Sequence, residues 1–205
     1  QKMAGKEGYN TLLNDFEWGF DTKILDELFE SIKREIVPFV KKQKRLKKTD
    51  NKYQVSKDRQ KKLSLYLCDY LGFNITRGML GDSIHPFTTG ISNKDVRIAN
   101  RYTENDVVDP IFSILHETGH GLYEQGISDD ITMTPAGVGT GMGFHESQSR
   151  FYENIIGRMK EFWEPIYDKL QKEFPEEFEN KSIEKWNKQL LEVSPGPIRT
   201  QADEL

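Results

Sequence analysis

The chain is 205 residues long, 36% hydrophobic and 30% charged, with a net charge of −4 and a pI near 5.7. That is the balance of a globular protein with enough chain for one substantial domain, and no repeat or membrane span appears. The acidic balance gives no reason to expect nucleic acid or an anionic membrane as partner.

A single cysteine, Cys68, cannot form an internal disulfide. With no recognisable signal peptide, this predicts a reducing, cytoplasmic location. Residues 1–20 read as an irregular lead-in containing Asn14-Asp15-Phe16-Glu17. Ile24, Leu25, Leu28, Phe29, Ile32 and Ile36 recur at helical spacing and predict a long helix that Pro38 should kink or end. The run Lys41–Lys48 has six basic residues in eight, but without interleaved aromatics it reads as a solvated face rather than a phosphate-binding strip. Ser56 can cap a second helix through Leu63, Tyr66, Leu67, Tyr70 and Leu71, which Gly72 ends, with Cys68 as a small packed residue inside it.

Between Arg77 and Tyr102 the period changes to two. Val96, Ile98, Asn100 and Tyr102 alternate with Arg97, Ala99 and Arg101, and glycine-bearing turns precede them, so a small antiparallel sheet is expected here. His85-Pro86-Phe87 lies within it. By itself His85 is as readily a packed residue as a functional one.

The next stretch, Asp109 to Gly126, carries His116-Glu117-Thr118-Gly119-His120. On a helix, residues four apart are about 40° and roughly 6 Å apart, so two imidazoles at that spacing can converge on one cation while the intervening Glu acts as a base. Asp109 is a candidate N-cap, Pro110 suits the first helical position and Gly126 the residue past the end. Ile111, Leu115 and Leu122 form an apolar stripe, with His116 and His120 about 120–160° round from it. The alternative is a pair of surface histidines. Gly119 and Gly121 argue against it, because each costs about 1 kcal/mol in a helix and is easier to understand where another backbone or a substrate passes close.

The glycines of Gly137–Gly143 match neither a dinucleotide-binding nor a P-loop spacing, and closely approached or flexible backbone is the better account. Residues 144–157 then predict a second amphipathic helix. Phe144, Phe151 and Ile155 form its expected core stripe, with Glu146 and Glu153 opposite. For a third ligand, Glu124 lies one turn too far along the first helix and belongs behind the ligands. His145 is about 100° from the core stripe and Glu146 about 160°, which favours Glu146. Three protein ligands would leave a coordination position open for water, with Glu117 as general base. Further helices are expected around Phe162, Ile166 and Leu170, and around Ile183, Trp186 and Leu190, the last ending at Ser194-Pro-Gly-Pro197.

Five motifs in order, His85-Pro86-Phe87, Asp95-Val-Arg97-Ile-Ala99, His116-Glu117-Thr-Gly-His120, His145-Glu146-Ser147-Gln148 and Ile198-Arg199-Thr-Gln-Ala202-Asp203, resemble the carboxypeptidase Taq family of zinc metallocarboxypeptidases. The resemblance runs from Asn14 to the last residue, with one departure at Ala99, where the family usually has Thr. It implies a mainly α fold, a helical zinc-peptidase with the small antiparallel sheet beside the active-site helix. Residues 1–205 would be the central, metal-binding part of a single catalytic domain, without its N- and C-terminal flanks. The implied metal ligands are His116, His120 and Glu146, with Glu117 as base and one divalent ion, zinc or alternatively cobalt; on helix position Glu124 and Glu153 are expected behind the ligands. The implied activity is removal of the C-terminal residue from a peptide substrate, by a homodimer in the full-length family member. That activity needs a group to hold the terminal carboxylate. Arg199 is the candidate, since a guanidinium can grip a carboxylate through two hydrogen bonds; a structural salt bridge is its plainer alternative. His85 is assigned to the substrate side. The competing readings are a zinc endopeptidase and a catalytically inactive zinc-binding fragment.

Overall fold

A computed structural model describes residues 5–43, 55–104, 106–139, 141–178 and 181–192. Arg199 and its motif, Ser194-Pro-Gly-Pro197 and most of the basic run after Lys42 lie outside the described residues. The chain is mainly helical with one three-stranded sheet, and it divides into two compact units, residues 1–47 with 140–144, and residues 48–139 with 145–205.

In the first unit, α1 (Tyr9–Phe16) and α2 (Thr22–Lys42) are joined by a turn in which Asp21 caps α2 by accepting from the Ile24 amide. The helix α1 corrects the expected irregular lead-in. Tyr9, Leu12, Leu13 and Phe16 fall at i, i+3, i+4 and i+7, a helical period that the surrounding polar residues mask. Of the two outcomes expected at Pro38, an end to the helix is corrected, since α2 runs through it to Lys42. Proline deletes one ladder hydrogen bond, and the residues after it re-enter the helix. The apolar stripe Ile24, Leu28, Phe29, Ile32 and Ile36 is helical as predicted but exposed rather than buried. Glu17 accepts a hydrogen bond from the Gly143 amide at 2.7 Å, and a Cβ at Gly141 would fall 2.7 Å from the same carboxylate, so the backbone there is closely approached.

In the second unit, α3 (Lys57–Tyr70) leads through Gly72, at φ +95°, to β1 (Gly78–Asp82), β2 (Phe87–Ser92) and β3 (Asp95–Asn100). Ser56 occupies the N-cap position of α3, but its side chain makes no cap bond. The sheet order is β1-β3-β2, and the sheet is mixed rather than wholly antiparallel: β2 and β3 form a hairpin, whereas β1 runs parallel to β3. The reason is the short connection 83–86. It leaves β1 beside Asn100 and enters β2 beside Ala99, crossing the end of β3, so β3 becomes the buried centre and β2 an edge.

Next comes α4 (Val108–Gln125), begun by Asp106 and not Asp109, since the Asp106 carboxylate accepts from the Val108 and Asp109 amides at 2.8 and 3.3 Å. Pro110 still falls in the first turn, where its missing N–H costs nothing. After α5 (Met142–Arg150) the chain unwinds through a π turn (Phe151–Ile155) and then tightens through a 3₁₀ turn (Ile156–Arg158) before α6 (Lys160–Glu173), α7 (Pro175–Phe178) and α8 (Ile183–Leu190). The core joins Leu63, Leu67 and Cys68 of α3 to Val96 and Ile98 of β3, Ile111, Ile114 and Leu115 of α4, and Trp163, Leu170, Phe178 and Trp186 beyond. Burial pushes the Cys68 thiol up to about 11, which makes it an inert packing group.

The contact of α4 with α5 is made by small residues. A Cβ built on Gly119 would lie 2.7 Å from Ser149 Cα and 2.8 Å from the Gln148 carbonyl oxygen, and Ser149 is fully buried. The face of α5 carrying Glu146 and Ser149 therefore packs on α4. The expected core stripe, Phe144, Phe151 and Ile155, is instead 55, 46 and 54% exposed. Helical spacing gives the opposition of the two faces but not which of them points inward. Gly119→Ala tests the contact: it gains about 1 kcal/mol of helix propensity but must displace backbone, which costs about 1–3 kcal/mol or more. Thermal unfolding of the variant is expected at lower temperature than wild type, with Gly126→Ala, at the exposed helix end, closer to wild type.

Candidate metal centre

Three side chains from two elements converge. His116 and His120 project from successive turns of α4, and Glu146 from α5. Glu146 Oε2 lies 3.6 Å from His116 Nε2 and 3.3 Å from His120 Nε2, and the three ligand atoms are all within 4.8 Å of one another. Donors about 2.0–2.2 Å from a tetrahedral cation are spaced about 3.3–3.5 Å apart, so the two Glu146–imidazole spacings suit a small divalent ion such as zinc.

Hydrogen bonds behind these groups decide which nitrogen is bare. Glu153 Oε2 is 2.8 Å from His116 Nδ1. A carboxylate only accepts, so Nδ1 carries the proton and Nε2 turns a lone pair towards Glu146. The same logic runs through a longer path on the other side. Glu124 Oε1 is 2.8 Å from His145 Nε2, and His145 Nδ1 is 2.6 Å from His120 Nδ1. His145 Nε2 donates to the carboxylate, the neutral ring accepts at Nδ1 from His120, and His120 Nε2 is left bare. Burial, with His116 and His145 nearby, depresses His120 to about 4, which keeps it neutral. Thus His145 joins the cluster from behind His120, with Glu124 a step further back.

Burial raises the Glu146 carboxyl, but His116, Arg150 and His120 outweigh it and hold the group below the ordinary carboxylate range. Arg150 bridges the acidic groups, with Nε 2.8 Å from Glu146 Oε1 and Nη1 3.1 Å from Glu153 Oε2. Sequence reasoning missed Arg150, although its place four residues after Glu146 on one helix was a usable signal. It also missed Thr88. Thr88 is on β2, and its hydroxyl is 2.7 Å from Glu117 Oε2; only the alternation from Phe87 could have pointed it inward. Glu117 is 6% exposed, and burial raises its carboxyl despite the Thr88 hydrogen bond and His116. His85 is not brought into the cluster. It is exposed in the β1–β2 connection, where its carbonyl accepts from the Ser83 hydroxyl.

The geometry therefore brings together a carboxylate and two histidines that could hold a metal ion on a helix pair, with a second, buried carboxylate beside them. Comparison with known proteins gives the same class. The family profile described as carboxypeptidase Taq (M32) metallopeptidase matches residues 1–205. Carboxypeptidase 1 of Bacillus subtilis (strain 168) is 42% identical over 204 residues, 96% of this chain and 40% of the relative. Among solved structures, the crystal structure of BsuCP superposes with a TM-score of 0.86 at 40% identity, over 98% of this chain and 41% of that one. The M32 carboxypeptidase from Deinococcus radiodurans R1 does so with a TM-score of 0.80 at 32% identity, over 96% and 40%. This chain belongs to the carboxypeptidase Taq (M32) metallopeptidase family. It spans about 40% of the length of the relatives it matches. No helix among the described residues is long and apolar enough to cross a membrane.

The buried Glu117 yields a stability prediction. Its folded-state carboxyl titrates above its unfolded value, so the desolvation cost is absent below the unfolded value, grows as pH rises from the unfolded value to the folded one, and is complete above it. In metal-free protein, Glu117→Gln is therefore expected to raise the melting temperature at pH 7, with the gain shrinking towards pH 4. A variant less stable than wild type at pH 7 would mean that the charged carboxylate is not the costly species.

Proposed function

We propose that this chain is the metal-binding part of a single metallocarboxypeptidase catalytic domain, acting on the C-terminal bond of peptides. The observation that carries the reading is the convergence of the bare Nε2 atoms of His116 and His120 on Glu146 Oε2, at 3.6 and 3.3 Å. Two imidazoles and one carboxylate suit zinc, with cobalt as the alternative. When bound, such an ion supplies Lewis acidity, acidifying water and polarising a carbonyl.

The chain's own residues supply the rest. Glu117 is the general base: a carboxyl raised by burial is better matched to taking up and returning a proton near neutral pH than an ordinary one. Thr88 fixes one of its oxygens by donating to it, which leaves the other to face the reacting water. Glu153 and the His145–Glu124 pair hold the two histidines in the ligating tautomer. Arg199 remains the candidate clamp for the substrate carboxylate, and His85 a candidate substrate contact. The family description and the names of the relatives, among them carboxypeptidase 1 of Bacillus subtilis, support exopeptidase action. We assign the protein to the cytoplasm, and a homodimer to the full-length form.

Two measurements test this. Titration of metal-free protein with zinc is expected to give about one ion per chain, with Glu146→Gln weakening binding about as much as His116→Ala. Undiminished affinity in Glu146→Gln, with loss in His145→Ala, would move the third ligand to His145. In a version extended to the full length of its relatives, Glu117→Gln is expected to retain metal while turnover of a blocked dipeptide falls about 10²-fold or more. Near-normal turnover would remove Glu117 from the base role.

A further inference from the structure

Beside the cluster lies a cavity of about 500 Å³ with no role in the chemistry above. One wall is the end of the edge strand β2 with the turn after it, Gly90 to Asn93, and the other is the loop 132–139. Ile91, Ile127, Met133, Pro135 and Val138 make it largely apolar, and Glu124 is the one ionisable residue among those that line it. The Glu124 carboxylate has two differently employed oxygens. Oε1 accepts from His145, whereas Oε2 lies against Gly90, where a Cβ would come within 2.5 Å of it. Glycine at position 90 thus makes room for the carboxylate itself against the β2 backbone, and the structure gives Oε2 no hydrogen-bond donor among the described residues. A carboxylate oxygen in an apolar cavity without a cation is an incomplete pair: an anionic ligand would be repelled, and a neutral apolar one would leave the oxygen desolvated.

We infer that this cavity is a substrate subsite for a cationic side chain, Lys or Arg, on the N-terminal side of the bond that is cut, with Glu124 as its recognising carboxylate. The aliphatic stem of such a side chain packs against Ile91, Met133 and Val138 while its charged head meets Oε2. This rests on the carboxypeptidase reading, which supplies the direction of the substrate. A peptide's terminal carboxylate is repelled by Glu124, so the C-terminal residue points away from the cavity and the residues upstream point towards it. The reach is adequate. Glu124 is one turn beyond His120 on α4, about 6 Å along the axis, which is less than two residues of extended peptide. The unpaired edge of β2 runs beside the cavity and offers backbone groups to an extended chain.

The test uses N-acetylated tripeptides with a free C-terminal carboxylate and a hydrolysis-resistant ketomethylene group in place of the last peptide bond. Lysine is placed at either of the two upstream positions and compared with acetyl-lysine, and binding to zinc-loaded protein is followed by calorimetry. At one of the two positions the lysine peptide is expected to bind about tenfold tighter than its acetylated counterpart, by a margin that shrinks in high salt. Because the peptides are blocked, an N-terminal amine cannot mimic the effect. Glu124→Gln is expected to abolish the ratio whatever it does to overall affinity, and Val138→Arg to abolish it by placing a competing cation at the mouth without touching the Glu124–His145 bond. Equal binding of the two peptides at both positions, a ratio that survives in both variants, or no measurable binding of either peptide would overturn the inference. The parent reading fails separately, if C-terminal amides of the same peptides bind as well as the free acids.

Discussion

The whole arrangement depends on how closely α5 can lie on α4. Ligands from two elements share one ion only if those elements are held at a fixed short distance, and Gly119 sets it: no side chain stands between the helix and the Gln148–Ser149 backbone. Glu146, three residues before Ser149, is delivered to the histidines as a result. A larger residue at 119 would not merely create a local clash, since the separation it forced would be passed on in full to the gap between imidazole nitrogen and carboxylate oxygen.

Around that contact, acidic groups are graded by their surroundings. Glu146 is solvent-accessible, faced by two imidazoles and Arg150, and is held ionised. Glu117, adjacent to His116 in sequence but buried, is held by desolvation closer to a proton. Glu153 and Glu124 are spent on orienting rings. Four carboxylates within one small volume would repel one another were each not given a different partner: an arginine, a threonine hydroxyl, and two histidine N–H groups.

Much of the centre was legible in the sequence because it is written at helical spacing. The four-residue interval of His116 and His120, and the placing of Glu146 and Glu153 on one side of the next helix, are local facts that survive folding. What was illegible depended on choices made elsewhere in the chain. The sheet's turn signals specify the β2–β3 hairpin, but nothing local says that residues 83–86 cross over β3 and make β1 parallel. Periodicity set Phe144, Phe151 and Ile155 opposite Glu146 without saying which side is inside; the small residues of α4 decided that. Thr88 reaches Glu117 from another element altogether, a pairing that no spacing within α4 could announce.

One property of α4 has a bearing on how this protein can change. Among its residues Val108–Gln125 only Asp109 is exposed. One side is committed to the apolar core through Ile111, Ile114 and Leu115, another to the histidines and Glu117, and a third to backbone contact through Gly119 and Gly121. The helix therefore has no neutral side on which substitutions can accumulate harmlessly, and solubility, charge or thermal adaptation must be adjusted on other elements. Lineages of this fold are expected to drift in α2, α6 and the loops while α4 stands nearly still, as the slowest-changing stretch of the chain.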